Sequence, residues 1–277
     1  MIKSARSFVL LAALGVAISS TPATAASVYF GEDLGAFSAA NMPNSTAART
    51  SFLDNLSSYG VEGLESVTTD PNGIGATTTL SFGATGVTGT LNFATTVRSL
   101  PFNSRFAADG SNYLDTSFTR RITFDTAVQA FGLFVIDANE ANNDPATVTW
   151  NDGDPLTQAD IDARPFDSVD GIFRIVTERS PGVFEVLFAG GTFPAGDSAA
   201  MFVGLIDAAN PFTNIILING TSGLDTAFQD GFAYDGLIVG SAAAVPEPGT
   251  LALVALGLAG FGAAARRRSR PTASTPR

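Results

Sequence analysis

Between Thr77 and Val239 the chain breaks into short apolar runs, each bounded by Gly, Pro, Asn or Asp. That rhythm constrains the fold more than any other feature, because runs of about four to eight residues match strands and fall short of globular helices. Phe118, Ile122 and Phe124 alternate with Thr119, Arg121, Thr123 and Asp125, the pattern of a half-buried strand, with Arg120 as the exception on the apolar side. Ala130 to Ile136 is apolar at both parities, which predicts a central strand covered on two faces. Further strands are predicted at Phe173–Thr177, Phe184–Phe188, Met201–Ile206, Ile215–Ile218 and Leu237–Val239. Thr77–Phe82 and Thr88–Phe93 are expected to pair, joined through Gly83 and Gly86. Val148 and Trp150 run into Asn151-Asp152-Gly153-Asp154, a hairpin signal. Ahead of all these, Asn44 or Ser45 is placed to cap one short helix carrying Ala48, Phe52, Leu53 and Leu56 on one face. The expectation is a mainly β fold: an antiparallel β-sandwich, jelly-roll-like, with one short N-terminal helix.

Composition narrows the chemistry. The sequence has no Cys and no His, so disulfides, imidazole or thiolate zinc sites, and Ser-His-Asp or Cys-His machinery are all excluded. Residues 26–248 hold all 26 acidic residues against 8 Arg and no Lys, a net charge of −18. Such a domain repels phosphate backbones, so nucleic acid is not an expected partner. The 22 Phe fall mostly at inward parity and are expected to supply the core, each contributing roughly 1.5–3 kcal/mol on burial.

The two ends are set apart from the domain. Lys3 and Arg6 precede the apolar stretch Phe8–Ile18, and Ala23 and Ala25 supply the small-x-small pattern that a signal peptidase recognises. Residues 1–25 are therefore expected to be a signal peptide and 26–243 the exported domain. The tail, 244–277, contains Pro246-Glu247-Pro248, an apolar run over 249–265, and Arg266, Arg267, Arg268 and Arg270. Seventeen helical residues rise about 25 Å, enough to cross a thin bilayer, and the arginines place the following end in the cytoplasm. The expectation is a transmembrane helix at 249–265 with a cytoplasmic Arg cluster at 266–270.

Pro-Glu-Pro ahead of a short Gly/Ala/Leu span and an Arg cluster resembles the PEP-CTERM sorting domain of Gram-negative bacteria that make exopolysaccharide. The resemblance implies that an exosortase, a membrane-embedded transpeptidase-like enzyme, recognises and removes the tail. It implies transient anchoring in the inner membrane, then a cell-surface or extracellular address in an exopolysaccharide or biofilm matrix. Phe202 to Asp207 and Asp230 to Leu237 are similar in cadence to the last strands of sandwich domains found ahead of such tails, some of them resembling carbohydrate-binding modules.

Three chemistries remain for the domain. Asp137, Asn139 and Asp144 lie in an oxygen-rich stretch suited to a structural Ca²⁺, although the spacing does not match an EF-hand; Asp225, Asp230 and Asp235 form a weaker group. Trp150 is the first candidate for a carbohydrate-stacking face, with Tyr59, Tyr113 and Tyr234 as the other non-Phe aromatics. Paired carboxylates suffice for glycoside hydrolysis, yet no pair is singled out, so no catalytic residue is assigned. The leading expectation is a non-enzymatic exported protein, with a lectin-like module binding exopolysaccharide and a polysaccharide-active glycosidase or lyase as alternatives.

Overall fold

The computed structural model describes residues 26–67, 77–92, 96–102, 104–116, 119–137, 157–158, 173–190, 199–218 and 232–244. Thirteen strands and one α-helix are formed among them: β1 (Ser27–Leu34), α1 (Pro43–Asp54), β2 (Leu56–Glu62), β3 (Thr78–Ser81), β4 (Thr88–Leu91), β5 (Thr96–Arg98), β6 (Tyr113–Thr116), β7 (Arg120–Val128), β8 (Ala130–Ile136), β9 (Phe173–Ser180), β10 (Val183–Gly190), β11 (Ala199–Ile206), β12 (Phe212–Ile218) and β13 (Phe232–Ala242). Two sheets result, with every pairing antiparallel. A seven-stranded sheet runs β1-β11-β8-β13-β6-β5, with β2 also paired to β13, and a six-stranded sheet runs β10-β9-β12-β7-β4-β3.

Side-chain parity explains the layering. On β8, Phe131, Leu133 and Val135 join a core shared by both sheets, while Ala130, Phe134 and Ile136 join a second cluster on the other face. β11 splits the same way, with Met201, Val203 and Leu205 inward and Ala200 and Phe202 outward. Both faces of these central strands are thus covered, which is why they read as continuous apolar runs. On β7, Arg120 shares the inward parity of Ile122 and Phe124 and is buried, so the exception seen in the sequence is a guanidinium held inside the fold.

Helix α1 covers the outer face of the larger sheet. Gly132 and Gly204 are cross-strand partners, and a Cβ on either would press on the Phe52 ring, at 2.9 and 2.5 Å. The pair forms a notch for Phe52, which also meets Tyr29 and Phe202 with ring centroids 5.7 Å apart in each case. The helix begins differently from the sequence expectation. Neither Asn44 nor Ser45 is its cap; the N-cap position is Met42 with Pro43 as first helical residue. The Asp33 carboxylate, arriving from β1, accepts the N–H groups of Asn44 (3.0 Å) and Ser45 (2.8 Å). An anion at free helix N–H groups satisfies donors that have no intrahelical partner. Leu56 also departs from expectation, since the helix stops at Asp54 and Leu56 opens β2.

Among the described residues no helix is long and apolar enough to cross a membrane. The transmembrane segment expected at 249–265, and the hairpin after Trp150, lie outside the described residues.

Candidate functional site

The larger sheet has two chemically distinct ends. At one end β8 stops at Ile136, and Asp137, with φ at 62°, turns the chain while its N–H donates to Ala199 O at 2.7 Å. The Asp137 carboxylate is buried, with Arg105 Nη1 3.9 Å away. Arg105 Nε stands 3.0 Å from Asp115 on β6, and Arg98 on β5 pairs with the other oxygen of the same carboxylate. Phe102 lies beneath both cations, 4.0 Å from the Arg98 guanidinium and 5.3 Å from that of Arg105. Phe102 and Arg105 are joined by reciprocal backbone hydrogen bonds of 3.0 and 3.1 Å. Opposite charges at this range, partly withdrawn from water, hold short strands that have little backbone pairing of their own.

A second carboxylate works nearby. Asp235 is buried on β13 and accepts N–H bonds from Ala108 (2.6 Å), Asp109 (2.7 Å) and its neighbour Gly236 (2.6 Å). Burial is the main influence on this group and, against the pull of those three donors, raises its pKa from 3.8 to about 7. Gly236, at φ 53°, sits where β13 changes partner along one edge from β6 to β2. Arg49 on α1 then fastens the same loop through Asp109 at 2.8 Å.

Several expected site residues are placed by these contacts. Asp137 faces an arginine, while Asn139 and Asp144 lie outside the described residues; no group of metal-ligating side chains forms among those described. Asp235 is occupied by backbone donors, and Asp225 and Asp230 lie outside the described residues. Tyr113 and Tyr234 are core residues rather than surface platforms. Tyr113 donates its hydroxyl hydrogen bond to Leu100 O at 3.0 Å. Burial pushes the Tyr234 hydroxyl pKa well up, with Arg120 pulling the other way. Tyr59 remains exposed, and Trp150 lies outside the described residues.

The opposite end of the sheet is where the chain leaves the fold. Ala242 N–H donates to Gln129 Oε1 at 3.0 Å, and Ala243 N–H to Asn55 O at 2.9 Å. Ser57 Oγ donates to the carbonyls of Ser241 (3.3 Å) and Ala242 (3.1 Å). The fold therefore holds the backbone firmly through Ala243. Sequence reading missed these anchors, since each joins segments far apart in the chain and leaves no local pattern.

Ala23, Ala25, Pro246, Glu247, Pro248, Arg266, Arg267, Arg268 and Arg270 lie outside the described residues. No curated protein and no solved structure matches the chain. A family model does match, over residues 244–268, and it describes the PEP-CTERM protein-sorting motif. The matched stretch contains Pro246-Glu247-Pro248 and the arginines at 266–268. It marks an exported protein sorted through an exosortase. The chain thus carries a PEP-CTERM sorting motif that begins at the residue after Ala243, whose N–H is bonded to Asn55 at the end of α1.

Proposed function

We propose that this chain is a non-enzymatic protein of the cell surface or extracellular matrix, exported by residues 1–25 and delivered by its C-terminal tail in an exopolysaccharide-linked pathway. The sorting match directly behind β13 carries the reading. The tail's apolar run, 249–265, holds the precursor in the inner membrane until an exosortase acts at Pro246-Glu247-Pro248. The domain in front of it is cargo. Its sequence lacks the imidazole and thiol groups on which most hydrolytic machinery depends. The burial of Tyr113 and Tyr234 removes two of the expected aromatic faces from sugar stacking, which favours a matrix role over a lectin-like one.

The strand orders β6-β13-β8-β11 and β7-β12-β9-β10, one in each sheet, support a jelly-roll-like sandwich. The chain crosses between the sheets at each connection from β6 to β13 except the β9–β10 hairpin.

Replacing Glu247 and both flanking prolines by Ala tests the sorting step. The expected outcome is a full-length precursor accumulating in the membrane fraction. Unchanged processing and release of that variant would contradict the reading.

A further inference from the structure

The described domain begins and ends on one rim of the seven-stranded sheet. Ser27 is in register with Ile206, Ile206 with Ala130, and Ala130 with Gly240. Three interstrand steps of ~4.8 Å, about 14 Å in all, therefore separate the start of β1 from the strand that leads to the sorting motif. The motif follows with no spacer, because the match begins at 244 and Ala243 is still bonded to Asn55.

Covalent geometry limits the tether. Pro246 is three residues past Ala243 and lies within ~11 Å of it; Gly249, where the apolar run starts, is six residues past and lies within ~22 Å. Along β1 the sheet extends seven steps of ~3.3 Å, about 23 Å, from the rim at Ser27 to the far end at Leu34. A tether that short, attached at the rim, cannot pass around the domain to turn the far end toward a membrane.

We propose that this rim is the surface that faces the lipid bilayer while the tail holds the precursor, a step that rests on the sorting reading above. Many of the exposed side chains there are short and neutral, among them Ser57, Ser58, Ala127, Ala208, Ala209 and Asn210, with Tyr59 the one exposed aromatic beside them. The rim's carboxylates are mostly engaged. Asp207 is buried, with Arg179 at 2.9 Å and the Asn210 N–H at 2.9 Å, and Asp125 accepts from Thr88 N–H (3.0 Å) and Oγ1 (2.7 Å). Asp54 and Asp125 are the exposed carboxylates. With a net charge of −18 over residues 26–248, a rim on which most exposed side chains are uncharged approaches anionic headgroups with little repulsion.

The absence of native Cys makes single labels unambiguous. Ser58→Cys, Ala209→Cys and Leu34→Cys, all at exposed positions, would each be introduced into the full chain and labelled with a fluorescent donor. The proteins would be reconstituted in phosphatidylethanolamine–phosphatidylglycerol vesicles carrying a headgroup energy acceptor. The expected result is a short donor–membrane distance for the two rim labels and a distance about 23 Å longer for Leu34→Cys. Equal distances, or a shorter one from Leu34→Cys, would overturn the proposal while leaving sorting intact. Inserting about ten Gly/Ser residues after Ala244 frees the tether and should abolish the contrast; a contrast that persists would overturn the tether argument. A chain that never enters the vesicles would sink the sorting reading and this inference with it.

Discussion

The two ends of the seven-stranded sheet are closed by different means. At the far end, short strands β5 and β6 and the loop between them are held by Arg98, Arg105, Asp115, Asp137 and Asp235, most of them withdrawn from water. At the rim, the exit strand is held by backbone bonds and neutral side chains: Ala243 to Asn55, Ala242 to Gln129, Ser57 to Ser241. Helix α1 spans both, starting on the Asp33 carboxylate and finishing beside Ala243. The difference teaches that charge is concentrated where strands are short and need it, and is sparse where the chain departs toward its sorting tail.

That contrast predicts a gradient of mutational cost. Arg105→Ala should be the most damaging, because it strips the guanidinium from between two largely buried carboxylates; the expected loss is about 3–5 kcal/mol. Urea unfolding measures it, and a loss near zero would show that charge does not hold the far end.

Asp235→Asn comes next, at about 1–3 kcal/mol near pH 8, since one amide oxygen must serve three N–H donors. The same group sets a pH dependence. Its folded pKa of about 7 lies above the unfolded value of 3.8, so between these values the native state holds a proton that the unfolded chain has released. Stability contributed by this group is present at low pH and is lost as pH rises toward 7. Thermal midpoints across that window should decline less in Asp235→Asn than in the parent protein.

Asp33→Ala removes an anion from the start of α1 and should cost about 1 kcal/mol. At the rim, Ser57→Ala should change stability by no more than about 0.5 kcal/mol, although it touches two exit-strand carbonyls. A rim substitution as costly as Arg105→Ala would erase the contrast between the ends.

Much of the β-structure was legible because parity is a local property. Ala130–Ile136 has the bounds read from its apolar run, and Arg120 stands on the inward side as its position indicated. β1 escaped notice because Gly31 and the acidic pair Glu32 and Asp33 interrupt its pattern, and its pairing to β11 comes from residues far along the chain. β2 was hidden by Leu56, whose spacing from Phe52 fits a helix as well as a strand entry. β5 and β6 are too short for periodicity to show, and their support is the arginine–carboxylate cluster. Asp33 was missed as a helix cap for a related reason: its donors lie 11 and 12 residues downstream. Tyr113 and Tyr234 misled because giving Phe to the core left them among the aromatics for a surface by elimination, whereas both are buried and Tyr113 satisfies its hydroxyl on Leu100 O inside the fold. The sorting motif was readable from linear order alone, since that recognition concerns a segment and not a folded surface.

The most direct test of the account is the identity of the protein's C-terminus in membrane and released fractions, determined by mass spectrometry of terminal peptides. The prediction is a membrane-bound precursor that continues to Arg277 and a released form that ends upstream of the apolar run at 249–265. Recovery of Arg277 in every fraction would contradict it.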